Sequence, residues 1–149
     1  MSLQEKLADD QTAALRSGDQ VRLGALRLLR SAIHYVQLES RGPLDDDAVL
    51  SVIGKQVKQR RESIEEFGKG NRPDLVAKEQ AEMEILQTYL PPQASREDVL
   101  AIAREVIAET GARGKQDLGK VMPRMMSKLR GKADGRLISQ VVQELLSQT

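Results

Sequence analysis

Apolar residues recur at helical spacing along almost the whole chain, and clusters of glycine and proline cut that pattern into seven segments. Side chains at i, i+3, i+4 and i+7 share one face of a helix, whereas a half-buried strand needs strict alternation. The last segment is the clearest: Leu137, Ile138, Val141, Val142, Leu145 and Leu146 lie on one wide apolar face. No segment reads as a strand. The expected fold is all-α. Aromatic residues make up only 2% of the chain (Tyr35, Phe67 and Tyr89), so the core must come from Leu, Ile, Val, Met and Ala.

The punctuation places the segments. Ser2 with Glu5 has the spacing of a capping box, opening a helix to about Arg16 that Ser17-Gly18 ends. Asp19 caps a second helix with two apolar stripes, one of Val21, Ala25, Leu28, Ala32 and Tyr35, the other of Leu26, Leu29, Ile33 and Val36. Apolar residues on two sides predict a helix packed between neighbours. Arg41-Gly42-Pro43 breaks it. A third helix is predicted from Asp46 to Phe67 and a fourth from Pro73, carrying Val76, Met83, Leu86 and Leu90 inward. Pro91-Pro92 cannot continue a helix, and Ser95 with Asp98 then opens a new one. The expected organisation is a bundle of about four helices over 1–92 and a three-helix domain over 95–149. Its helices fall at about 96–110, 117–130 and from Arg136.

Several chemistries are excluded or disfavoured. The chain has no cysteine, so it has neither disulfides nor thiolate metal sites, and a reducing compartment fits. With no secretory signal and no membrane-length apolar run at either end or between, a cytoplasmic location is expected. The single histidine, His34, rules out multi-histidine metal sites and reads as a partly exposed structural residue. Gly114 to Val121 nearly matches the phosphate loop G-x-x-x-x-G-K-[ST], but Val121 offers no hydroxyl for magnesium and no strand is predicted before it. Asp45, Asp46 and Asp47 read as dipole-favoured charge at a helix start, and Glu79, Glu82 and Glu84 as a solvated face. No residue is assigned a catalytic role, and neither a metal nor a cofactor is expected.

Charge carries more information. Residues 1–94 hold 13 Lys/Arg against 15 Asp/Glu, residues 95–149 hold 10 against 7, and residues 111–136 hold 8 against 2. On the predicted sixth helix Lys120, Arg124 and Lys128 share one stripe opposite Val121, Met125 and Leu129. Solvated helices usually mix signs to gain i,i+4 pairs. This one has only Asp117 in its first turn, so its positive field is expected to be uncompensated. Lys132 in the following turn and Arg136 at the start of the seventh helix extend it. Asp134 reads as that helix's N-cap, although free backbone N–H groups there would suit a phosphate. These five cations are the candidate nucleic-acid contacts. Arg27 and Arg30, and Lys58 and Arg61 on the third helix, are secondary basic candidates. For Lys58–Glu62 and Arg61–Glu65, i,i+4 spacing predicts a salt-bridged surface. The stems of Arg60 and Arg61 are expected at the core edge.

Ordered blocks then carry a family likeness. Leu26 to Ile33 (LRLLRSAI), Lys58 to Ile64 (KQRRESI), Asn71 to Leu75 (NRPDL) and Tyr89-Leu90-Pro91 resemble the YqeY-like family. Gly119 to Met122 (GKVM) and Gly131 to Leu137 (GKADGRL) resemble both that family and the tail domain of the GatB subunit of tRNA-dependent amidotransferases. The resemblance implies a helical N-terminal domain, a three-helix C-terminal domain and a link to tRNA, which that tail engages. Catalysis is not implied, since the amidase and ATP-dependent steps reside in other parts of that complex. Pro123 departs from the pattern, which usually has glycine there, and Ser127 from a frequent proline. A proline past the first turn is expected to kink or shorten the helix.

The leading expectation is a non-catalytic RNA-binding module for tRNA or a tRNA-bearing complex, in contact with a translation-related protein assembly and without a membrane or small-molecule cofactor. The alternatives are two. One is an enzyme or accessory of amide transfer to aminoacyl-tRNA, a carbon–nitrogen ligase chemistry with glutamine as the amido donor. The other is a protein-interaction module whose basic face meets an acidic partner. Few aromatic side chains disfavour base stacking, leaving shape and phosphate contacts as the expected mode.

Overall fold

The structure is a computed structural model that describes residues 1–148. Among the described residues lie seven α-helices and one short 3-10 turn, and no strand. The helices are α1 (Leu3–Ser17), α2 (Gln20–Ser40), α3 (Asp46–Lys69), α4 (Pro73–Gln87), α5 (Arg96–Thr110), α6 (Leu118–Lys128) and α7 (Gly135–Ser147), with the turn at Lys115–Asp117 before α6.

Their ends follow local chemistry. Ser2 Oγ accepts from Glu5 N–H at 3.1 Å, and Asp45 Oδ1 from Ala48 N–H at 2.8 Å, which satisfies N–H groups that no helical carbonyl can reach. Ser95 and Asp98 form the full reciprocal box, both bonds at 3.1 Å. α1 and α5 stop at Gly18 (φ 76°) and Gly111 (φ 68°), whose left-handed conformation costs a glycine nothing in Cβ clash. α2 stops at Arg41 in the same conformation (φ 59°), one residue before Gly42-Pro43.

The chain divides into two units, Met1–Leu90 and Pro91–Thr149. In the first, α1 to α4 surround a core of Leu7, Leu26, Leu29, Ile33, Val49, Ile53, Val57, Met83 and Leu86. α2 touches the other three helices, as a central helix should. One of its two stripes is buried, whereas of the other only Ala25 is buried and Ala32 partly so. Leu26, Leu29 and Ile33 are buried, while Val21, Leu28 and Tyr35 are 48%, 56% and 69% exposed. α2 thus lies between neighbours as expected, but the larger side chains of its second stripe are left exposed.

α3 and α4 correct two further expectations. Arg60 is buried to its head group: its Nη1 donates to Glu79 at 3.1 Å and also to Glu82, itself 6% exposed. Glu79 and Glu82 are thus the interior partners of an arginine and not a solvated face. The surface pairs expected for Lys58–Glu62 and Arg61–Glu65 are not among the ion pairs formed by the described residues. Between α1 and the segment after α4, Tyr89 Oη donates to Asp10 Oδ2 at 2.6 Å, with Lys6 Nζ 5.7 Å from the ring centre.

In the second unit α5, α6 and α7 share a core of Val99, Ala103, Val106, Val121, Met125, Leu129, Ile138, Val141, Val142 and Leu146. α6 stays helical through Pro123. The carbonyl deprived of its N–H partner is that of Gly119, an exposed residue with open space around it, so water can replace the lost bond. The segment resembling a phosphate loop is the 3-10 turn Lys115–Asp117 following an extended Gly114. No strand precedes it among the described residues. No helix is long and apolar enough to cross a membrane.

Candidate nucleic-acid interface

The second unit positions the basic residues through the apolar arc of α6. Val121 and Met125 are fully buried and Leu129 nearly so, which turns Lys120, Arg124 and Lys128 outward together. Their side chains are 68%, 55% and 40% exposed. The one-stripe arrangement read from the 3.6-residue period is present in three dimensions.

The field of that stripe is not uncompensated. Glu109, near the end of α5, lies between two of the three cations, with Oε2 3.6 Å from Arg124 Nη1 and Oε1 3.5 Å from Lys128 Nζ. Lys120 Nζ is 3.6 Å from Asp117 Oδ1. Asp117 also accepts from Arg113 N–H at 2.9 Å. That backbone bond and the Lys120 ammonium hold its carboxyl below the usual aspartate range. Asp117 was visible in the sequence as a first-turn acid. Glu109 was not, because it belongs to another helix and only packing of α5 on α6 brings it across.

Lys132 and Arg136 are exposed. The turn that carries Lys132 is pinned by backbone: its carbonyl accepts from Ala94 N–H at 2.8 Å, and Gln93 Nε2 donates to the Gly131 carbonyl at 2.9 Å. Gly131 takes φ 73° there. At the start of α7, Arg136 N–H donates to Asp134 Oδ1 at 3.2 Å. Asp134 is thus the N-cap, and an anion at this helix end would have to displace a carboxylate. The five candidates therefore divide into three cations with carboxylate partners, two of them sharing Glu109, and two that form no ion pair among the described residues.

The secondary candidates belong to the other unit. Arg27 and Arg30 are exposed on α2, and Lys58 and Arg61 on α3. Arg30 Nη1 donates to Gln11 Oε1 on α1 at 2.8 Å. His34, one turn along α2, lines the same open groove as Arg27 and Arg30 and is exposed, in keeping with a surface residue. No cluster of three or more His, Cys, Asp or Glu suited to a metal ion occurs among the described residues.

Comparison with known proteins gives the family. A family model described as Yqey-like protein matches residues 4–146. The chain is 33% identical over 144 residues to "Altered inheritance of mitochondria protein 41, mitochondrial" of Pyrenophora tritici-repentis, covering 95% of this chain and 79% of that one. It is 39% identical over 106 residues to the protein of the same name in Eremothecium gossypii, covering 69% and 58%. With the Lachancea thermotolerans protein it shares 36% identity over 106 residues, covering 69% and 57%. The chain thus spans little more than half the length of several curated relatives it matches. The names of these relatives overturn the expected cytoplasmic location, since they are mitochondrial proteins. Lack of cysteine excludes disulfides but does not distinguish one compartment from another, which is why composition misdirected that expectation. A match over nearly the whole chain makes this protein a member of the YqeY-like family.

Proposed function

We infer that the second unit is an RNA-binding module for tRNA or a tRNA-bearing complex, acting through phosphate contacts of Lys120, Arg124, Lys128, Lys132 and Arg136. The observation that carries this reading is the common outward face of Lys120, Arg124 and Lys128, held by the buried Val121 and Met125 behind them. Their carboxylate partners do not argue against it. Exposed ion pairs are worth only about 0–1 kcal/mol, so a phosphate can replace Glu109 at little cost. A helical surface poor in aromatic residues fits backbone and shape recognition better than base stacking. Amide transfer has no arrangement of side chains among the described residues in its favour.

The test is a salt titration of tRNA affinity for three proteins. Reversal of Lys120, Arg124 and Lys128 to Glu should weaken binding about equally across RNA sequences and flatten the salt slope by roughly 0.7–0.9 per lost contact. Glu109→Gln should do the opposite, tightening binding by releasing Arg124 and Lys128. Equal affinity and slope for all three proteins would reduce the stripe to a solubility feature and favour a protein partner.

A further inference from the structure

We propose that the exposed half of α2 is a docking surface for an acidic amphipathic helix of a partner protein. Val21, Leu28 and Tyr35 stand seven residues apart and therefore share one line along the helix, with Leu38 beside them. They are 48%, 56%, 69% and 61% exposed. Single exposed apolar residues are ordinary, but three aligned with a fourth beside them over about 26 Å of helix make a strip. Gly24 and Ser31 lie between them on the same side, and such small side chains permit close approach of another backbone. The unit's own packing buries Ala25 of this stripe and part of Ala32, but leaves the larger side chains of Val21, Leu28 and Tyr35 in solvent.

Charge beside the strip selects the occupant. Arg27 and His34 lie about a quarter to a third of a turn round α2 from the strip and Arg30 further toward α1, and with Gln11, Ser31 and Tyr35 they line an open groove that contains no carboxylate. Arg30 is oriented by Gln11 Oε1 at 2.8 Å, so its guanidinium is held toward that groove by a neutral partner. A helix bearing Leu or Ile at i, i+3 or i+4 and i+7, with Asp or Glu on one flank, would cover the strip and set its carboxylates toward Arg27 and the groove that Arg30 also lines. A second copy of the same face is a poor match, because the only acidic residue in Gln20–Ser40 is Glu39. RNA is also a poor match. Val21, Leu28 and Leu38 offer phosphates nothing, and residues 1–94 carry 13 Lys/Arg against 15 Asp/Glu, which does not draw in a polyanion.

The experiment uses the full chain with a photo-crosslinking p-benzoylphenylalanine at position 35, and a control with the same group at position 58 on α3, both expressed in cells. The expected product is one protein segment cross-linked from position 35 and not from position 58, its sequence apolar at i, i+3 or i+4 and i+7 with flanking Asp or Glu. That segment, synthesised as a labelled peptide, should bind the wild-type chain. It should lose roughly ten-fold or more in affinity against Leu28→Glu, because an apolar anchor at the centre of an interface carries a disproportionate share of binding. Affinity should also fall against Arg27→Glu/Arg30→Glu, and that loss should shrink as salt is raised. Circular dichroism of the variants should match wild type, since all three positions are exposed. Cross-links to a second copy, to RNA or to a segment without that pattern would overturn the proposal. So would position 35 cross-linking no more than position 58, or a peptide indifferent to both variants.

Discussion

Replacing Arg60 with methionine tests the least expected feature of the first unit. The Arg60 side chain is 9% exposed and the Glu82 side chain 8%, with Glu79 at 20%. Without the guanidinium, Glu82 is left as a buried carboxylate without a cation. Removing one member of a buried ion pair costs about 3–5 kcal/mol. Two features move the expectation toward the lower end. Arg60 Nε is itself buried without a hydrogen-bond partner, so its removal relieves one penalty, and Glu79 is open enough to regain water. Arg60→Met should thus cost about 3 kcal/mol and lower the midpoint of thermal unfolding by more than about 10 °C. The double variant Arg60→Met/Glu82→Leu should recover most of that loss, because well-packed apolar replacements of buried ion pairs are often neutral or stabilising. Both tyrosines, Tyr35 and Tyr89, lie in the first unit and the chain has no tryptophan, so tyrosine fluorescence during urea unfolding reports this unit. A single variant within about 1 kcal/mol of wild type, or a double variant no more stable than the single, would refute the reasoning.

Adjacent residues of α2 should behave oppositely: Leu29→Ala, at a fully buried site, should cost about 2–5 kcal/mol, and Leu28→Ala, 56% exposed, less than about 0.5 kcal/mol by the same urea assay. Tyr89→Phe removes a 2.6 Å bond to the Asp10 carboxylate and should cost about 1.5–3 kcal/mol. Burial and that carboxylate push the Tyr89 phenol above its ordinary value of 10.0. A raised folded-state value means that its contribution is complete below pH 10.0 and is lost as pH rises through the folded value. Wild-type stability should therefore decline in strong alkali more steeply than that of Tyr89→Phe. Gly111→Ala forces φ 68° on a residue with a Cβ and should cost about 1 kcal/mol, by strain alone because no atom lies within 4 Å of the added Cβ.

Much of this molecule was legible because its signals are local. Helical period, N-caps such as Ser95 with Asp98, and stop residues such as Gly18 and Gly111 act within a turn or two, so position along the chain determines them. The stripe of Lys120, Arg124 and Lys128 opposite Val121, Met125 and Leu129 belongs to the same class, since residues on one helix have fixed angular relations. What only the tertiary structure decided is everything that depends on which helix lies next to which. Apolar spacing marks both stripes of α2 alike, but the packing of its three neighbours leaves Leu28 in water and Leu29 in the core. Acidic residues at 79 and 82 have the periodicity of an outer face, and become interior only because α3 presents Arg60 to them. Glu109 stands 15 residues before Arg124 in the chain and within ion-pair distance of it in the fold. Charge on a helix is set by its sequence, but the field it projects is set by the counter-charges that packing brings alongside, and that pairing has no period to read.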